Sequence, residues 1–197
     1  IRDLSVSVGS EMCIRDRGSG TQILLLDQST FTVGEDSEVV MDTFIYDPKT
    51  NDGKIVASVK QGSLKVISGL ISQKDPDALT VTVPEGTLGS RGTEFQTIVS
   101  KGKTDTLLIG PGKNNTLGMR PGAVLASNKF GKTLLDNPYS VTSMSKGQAP
   151  DKARKITRSQ LKKFNKKMRA LSKSKGDKGE KKIARKAINF STKAHKL

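Results

Sequence analysis

The chain has 197 residues, with 34 Lys or Arg against 19 Asp or Glu, a net charge of +15, one Cys, one His and no Trp. A single cysteine excludes a disulfide framework, and a single histidine, His195, three residues from the end, leaves Ser-His-Asp or Cys-His chemistry without a base and a His-based metal site without ligands. No apolar run approaches the ~18 residues that a membrane-spanning helix needs.

The first segment, "IRDLSVSVGSEMCIRDR" (residues 1–17), stands apart from the rest of the chain. Its run Val8–Arg17 resembles the translation of a transposase adapter used in sequencing libraries, and the opening Ile-Arg-Asp repeats the same words. It lacks the basic start, apolar run and small-residue cleavage site of a signal peptide. Residues 1–17 are therefore read as non-native, with the natural start and any signal peptide expected upstream of Gly18. Cys13 falls inside this segment, so the rest of the chain has no cysteine.

Charge divides the remainder in two. Residues 151–197 hold eighteen Lys or Arg and three Asp or Glu, whereas residues 1–150 hold sixteen of each sign. A neutral body carries a basic tail, and each part is read separately.

From Gly18 to about Ser140 the chain alternates apolar and polar residues between turn-forming ones. "GEDS" (Gly34–Ser37) separates "FTV" from "EVVMDTFIY", and "DPKTNDG" (Asp47–Gly53) forms a longer loop. In "KIVASVK" Ile55, Ala57 and Val59 share a face; in "SLKVIS" Leu64 and Val66 do; in "LTVTV" Leu79, Val81 and Val83 do. Period two is what a half-buried strand requires, because successive side chains point to opposite faces. Gln61-Gly62, between two such runs, reads as a tight hairpin. No window before residue 150 sustains a helical period. The expectation is an all-β fold with its core built on Val, Ile and Leu plus Phe31, Phe44, Tyr46 and Phe95.

Three ordered stretches carry a resemblance: "QILLLDQSTFTVGEDSEVVMDTFIYDP", "GKIVASVKQGSLKVISG" and "LTVTVPEGTLGSRGTEFQTIV". They are similar to the FecR domain family, whose pattern is D-x-S-x-x-x-V-G-x-x-S, then G-x-L/F-x-x-x-S-G, then T-P-x-x-x-x-G-x-R-G-T-x-F. The resemblance covers Thr21 to Val99 and extends toward Pro138. Val83-Pro84 replaces the usual Thr-Pro, and Ser90 stands where an aliphatic residue is common, which weakens packing if it faces inward. The family's first strand or two are expected to be lost, leaving a sheet edge open.

The resemblance implies a twisted β-sandwich or solenoid-like domain outside the cytoplasmic membrane, periplasmic or secreted, in a bacterial envelope. It implies a module for protein interaction or scaffolding and not an enzyme, with no cofactor, no metal and no small-molecule substrate. The alternative is a fragment of a transmembrane sigma-factor regulator that relays an outer-membrane receptor signal. Of the motif residues, Gly86, Gly89, Arg91, Gly92, Thr93 and Phe95 are given structural roles. Gly89 and Gly92 let the backbone bend where a Cβ would clash, Thr93 and Phe95 start the next strand, and Arg91 offers its guanidinium to a nearby carboxylate or carbonyl.

Other motifs resolve into turns. Asp27, Glu35, Asp36, Asp42, Asp47 and Asp52 sit in or beside turns, and Asp47, Asn51 and Asp52 miss the EF-hand spacing. "GPGKNN" has Asn114 where a phosphate loop needs Ser or Thr after the lysine, and "FGKT" has Ala126 where the first glycine belongs.

Residues 141–155, with the Ser, Gly and Pro of "SMSKGQAPDKARK", read as a linker to a basic helical tail over 156–197. Leu161, Phe164, Met168 and Leu171 form one helical stripe and Ile183, Ala187, Phe190, Ala194 and Leu197 a second, split by "KSKGDKGE". Thr157 or Ser159 is placed to cap the first helix. Isolated helices of this length are marginal in water. An anionic surface is the expected docking partner, with the apolar stripe entering a lipid interface and contacts from Lys162, Lys163, Lys166, Lys167, Arg169, Lys181, Lys182, Arg185 and Lys186. An unidentified envelope protein is the other expected partner. Non-specific nucleic-acid binding through the same tail is the competing reading. It is disfavoured because Phe164 and Phe190 lie on apolar stripes and not on a stacking platform.

Overall fold

The structure is a computed structural model that describes residues 6–8, 11–15, 20–75, 77–111 and 122–173. Its strands are β1 (Val6–Val8), β2 (Glu11–Arg15), β3 (Thr21–Leu24), β4 (Thr30–Val33), β5 (Ser37–Asp47), β6 (Asp52–Ile67), β7 (Leu79–Val83), β8 (Gly86–Arg91), β9 (Glu94–Ser100), β10 (Lys103–Gly110), β11 (Ala123–Asn128), β12 (Gly131–Leu135), β13 (Ser140–Ser145) and β14 (Arg154–Lys155). Among the described residues two helices accompany them, α1 (Leu70–Lys74) and α2 (Arg158–Lys173).

The expected all-β body is present, and one strand organises it. The N-terminal half of β6 lies between β5 and β7 in a first sheet that continues through β8 and β11 to β12. Its C-terminal half lies between β4 and β9 in a second sheet, which runs from β3 at one side through β10 and β13 to β14 at the other. Both sheets curl around a single core. Ile55, Ala57, Leu79, Val81, Leu88 and Val124 face it from the first sheet, and Phe31, Leu64, Val66, Phe95, Leu108 and Met144 from the second.

Gln61-Gly62 is therefore not a hairpin. Gly62 has φ +92°, and β6 passes through it from one sheet to the other. The sequence contains the reason: core-facing positions are odd at Ile55, Ala57 and Val59 but even at Leu64 and Val66. That change of parity requires an inserted residue, which is a bulge. The pairing with β5 shifts at the same place, between Glu38 and Val39. Ser37 packs where a Gly62 side chain would stand, and the Ser37 hydroxyl accepts the Ser63 amide at 2.8 Å.

A second corner ties the β3–β4 turn to the end of β6. Asp27, fully buried, accepts the Ser29 amide at 3.1 Å and the Ser29 hydroxyl at 2.7 Å. Ser29 Oγ in turn accepts the Gly69 amide at 2.8 Å, and Asp27 O accepts Leu70 N at 2.7 Å. Beyond Gly69 the chain makes the single-turn helix α1, which the sequence pattern did not announce, and then returns as β7 parallel to β6.

The end of the body also differs from expectation. Ser140–Ser145, which runs from the last residue of the expected body into the supposed linker, is strand β13, with Val141 and Met144 fully buried, and Arg154–Lys155 pairs with it as β14. Along the outer edge of β5 lie β1 and β2, from the segment read as non-native, which both pair with it antiparallel.

Candidate functional site

The outer face of the second sheet is where chemistry and charge meet. On β9, Phe95, Thr97 and Val99 turn to the core, which leaves Gln96 and Ile98 outside. Leu107 and Asp105 on β10, and Val141 and Ser143 on β13, fall in register with them. Ile98, Leu107 and Val141 would be exposed apolar residues, but α2 covers them. Phe164 is 1% exposed and packs among the three, with Ile109, Ile156 and Leu161 around it.

Local sequence starts this helix firmly. Thr157 Oγ1 accepts the Gln160 amide at 3.3 Å, and Gln160 Oε1 accepts the Thr157 amide at 3.2 Å. This is a reciprocal capping box, and Ile156 and Leu161, on either side of the cap in sequence, both pack against the same small cluster as a hydrophobic staple. Of the two expected caps, Thr157 fills the role.

Polar contacts then fix the helix on the sheet. Gln96 Nε2 donates to the Phe164 carbonyl at 3.0 Å in a buried setting. Asp105 accepts Lys163 Nζ at 3.0 Å and Ser143 Oγ at 2.7 Å, with Lys103 Nζ at 3.5 Å. Burial pushes the Asp105 carboxyl up, but the Ser143 hydroxyl and the Lys163 and Lys103 ammonium groups outweigh it and hold the carboxyl below its ordinary value. Near the other end, the Lys167 carbonyl lies over Gly34, where a Cβ would come within 2.6 Å of it.

The expected entry of the Phe164 stripe into a lipid interface is thus corrected: the protein's own sheet occupies Phe164. What α2 presents to solvent is charge. Lys162 and Lys166 are exposed, Lys163 is exposed but paired with Asp105, and Lys167 is half-buried. Arg169 lies on the helix, though its side chain is outside the described residues. Lys181, Lys182, Arg185 and Lys186, the second stripe and His195 also lie outside them.

Two pockets flank the helix, both open to solvent. One, of about 350 Å³, has Asp36, Lys60, Glu85, Lys101 and Lys167 in its wall, and Lys60 is already paired with Glu38 at 2.8 Å. The other, of about 260 Å³, lies between α2 and the sheet beside Gln96, Tyr139 and Asn165, where Lys65 pairs with Glu94. No group of three or more His, Cys, Asp or Glu able to hold a metal occurs among the described residues. The loop oxygens considered for calcium have internal partners: Asp47 accepts Lys49 N and Thr50 Oγ1, Asn51 accepts the Tyr46 hydroxyl, and Asp52 pairs with Lys74.

The motif residues lie elsewhere, on the first sheet and at its crossing to the second. Gly86 faces the Ser127 carbonyl too closely for any side chain. Gly89 lies within β8 with open space where its Cβ would be, so the expected clash is absent there. Gly92 has φ +60° and only Ser72 O nearby at 3.7 Å, so its requirement is torsional and not steric. Arg91 is exposed and reaches Asp77 at 3.3 Å. Ser90 is fully buried, yet its hydroxyl is satisfied by Ser68 Oγ at 2.8 Å. Thr93 Oγ1 donates to Pro111 O at 3.2 Å, and Phe95 is fully buried in the core.

Gln96 and Asp105, the polar anchors of α2, were not singled out by sequence. The available signal was that "FQTIV" and "DTLLI" are apolar on both faces, which a two-layer sheet does not need and a third layer does.

A family model described as FecR protein matches residues 14–109. Two crystal structures of a candidate anti-sigma factor from Parabacteroides distasonis share the fold, with TM-scores of 0.56 and 0.53 at 8% and 9% identity. They align over 78% and 77% of this chain, which spans 63% of each of them. No curated protein matches the chain.

Proposed function

Because residues 14–109 are a FecR domain, we propose that this chain is the envelope-side β module of a sigma-factor regulator, acting by protein contact and not by catalysis. The observation that carries the reading is the match itself, whose span contains the three ordered stretches. The shared fold with the Parabacteroides distasonis structures agrees with it. The geometry is also of the kind such a role needs. A bent strand, β6, belongs to both sheets, so a contact on either sheet bears on the same strand. Helix α2, strapped over β9, β10 and β13, joins that body to the basic residues beyond it.

The test is transcriptional. In the bacterium that encodes the protein, residues 20–145 are deleted in frame and RNA is sequenced. A set of promoters sharing one −35/−10 pair should change together; no change, or scattered changes, contradicts the reading.

A second reading, an envelope scaffold docked on an anionic surface, is favoured by one feature. Helix α2 carries seven Lys or Arg and no acidic residue, and Leu161 and Phe164 of its apolar side are already packed against the sheet. Docking would then be electrostatic alone, lost on raising salt. Vesicles containing phosphatidylglycerol should retain the chain at low salt and release it at 0.5 M NaCl; salt-resistant binding contradicts this version.

A further inference from the structure

Helix α2 does not fill the outer face of the second sheet. It starts beside β13, where Ile156 N donates to the Tyr139 carbonyl, and its Lys167 carbonyl has reached Gly34, just past the end of β4. Thr30, at the other end of β4, lies roughly 13 Å from there at the ordinary strand rise. At that end a row of outward side chains crosses the strands in register: Leu24 on β3, Thr30 on β4, Ile67 on β6 and Glu94 on β9. Leu24 is 67% exposed and Ile67 39%, and Leu26, on the same side of the chain as Leu24, is 58% exposed. Their neighbours Ile23 and Leu25 pack on the core, so Leu24 and Leu26 belong to the outer side of an ordered hairpin. From Glu94 the row leads into the pocket of about 260 Å³ beside α2, which Lys65, Tyr139, Leu161 and Asn165 also line. Contiguous apolar exposure of this kind marks a contact surface.

The chain itself carries a matching surface. Beyond α2, residues 174–197 hold eight Lys or Arg, yet their stripe of Ile183, Ala187, Phe190, Ala194 and Leu197 is free of charge. It repeats the grammar of α2, whose Leu161 and Phe164 are packed on the adjoining part of this same face. Residues 174–182, which include Gly176 and Gly179, span up to about 30 Å when extended. Helices packed side by side need only about 8–10 Å between their axes, so the chain can turn back beside α2. A helix over 183–197 is about 22 Å long, enough to cross the roughly 14 Å from β3 to β9 along the row. Alone it is marginal in water; burial of its stripe is what holds it.

We propose that residues 183–197 dock as a second helix, antiparallel to α2, on the outer face of the second sheet, with their apolar stripe over Leu24, Leu26 and Ile67. Apolar burial supplies the attachment, against repulsion between two basic helices. Salt screens that repulsion and so strengthens this contact, whereas attachment of the same segment to lipid phosphates weakens as salt rises. The sign of the salt effect therefore separates the two fates of the stripe.

The test uses the full chain carrying Cys13→Ser and Thr192→Cys, a nitroxide on the new thiol, and methyl-labelled Ile, Leu and Val. On a helix Thr192 lies opposite the stripe, so the label stays out of the contact. The methyl signals of Leu24, Leu26 and Ile67 should broaden, while those of Leu125 and Leu134, paired on the outer face of the first sheet, should stay sharp. The pattern should persist or strengthen at 0.5 M NaCl. Adding Phe190→Asp should abolish the broadening and leave the shifts of Ile98 and Leu107, under α2, unchanged. A mixed sample, with the nitroxide and the methyl labels on different molecules, should show no broadening. The proposal is overturned by an absence of broadening in the doubly labelled chain, by equal broadening of Leu24 and Leu134, by its loss at high salt or by its persistence with Phe190→Asp. Broadening in the mixed sample also overturns it, because the occupant is then a second copy.

Discussion

Replacing Phe164 by Ala separates a docked helix from an independent tail. Phe164 is 1% exposed, and its neighbours Ile98, Leu107 and Val141 form a cluster apart from the main core. Truncating a buried Phe costs about 3–5 kcal/mol. The loss falls on docking and not on the body, because the main core between the sheets is untouched. Helix α2 has only 16 residues, mostly lysine-flanked, and barely persists undocked. Even the lower figure shifts an opening equilibrium by roughly 150-fold, so amides of residues 161–173 should exchange about two decades faster. Peptides from β6 and β9 should keep their protection. Exchange mass spectrometry reads both regions in one experiment. Unchanged protection of α2 would refute the docking argument, and equal loss in β6 would refute the independence of the two clusters.

Other substitutions grade the remaining contacts. Gly34→Ala sets a methyl against the Lys167 carbonyl and the Ser63 hydroxyl, and should cost about 1–3 kcal/mol, read as faster exchange at the C-terminal end of α2. Asp105 has a depressed carboxyl pKa in the folded protein, so its contribution is fully present above the unfolded value near 3.8 and is lost as pH falls through the folded one. A pH titration of helix protection should therefore be flat from pH 7 to 5 and fall only below about 4, and Asp105→Asn should remove that dependence. Arg91→Ala breaks one exposed contact to Asp77 and should cost under about 1 kcal/mol by denaturant melting. Gly92→Ala, at φ +60°, should cost about 1–2 kcal/mol by the same melts.

Much of the fold was legible in local alternation, since the core faces of β6 and β7 follow directly from which residues are apolar. What misled was reading each run separately. Gln61-Gly62 looks like a hairpin until the parity of Val59 is compared with that of Leu64, and the two halves then belong to different sheets. The supposed linker failed for a related reason: Ser, Thr and Gly around Val141 and Met144 look like solvent-facing composition, yet a central strand packs small polar residues well when they are paired. The candidate site was half legible. The helix, its Thr157 cap and its apolar stripe follow from spacing, but a stripe does not say what it meets. Outward-facing Ile98 and Leu107 were the clue that it meets its own sheet, whereas Gln96 and Asp105 acquire their roles only once strands distant in sequence are side by side.

The most direct test of a docked α2 is the nuclear Overhauser spectrum of the full chain with methyl-labelled Ile, Leu and Val. Contacts from the Phe164 ring to the methyl groups of Ile98, Leu107 and Val141, unchanged between 50 mM and 0.5 M NaCl, are the predicted result. Random-coil shifts for residues 158–168 with no such contacts would contradict it.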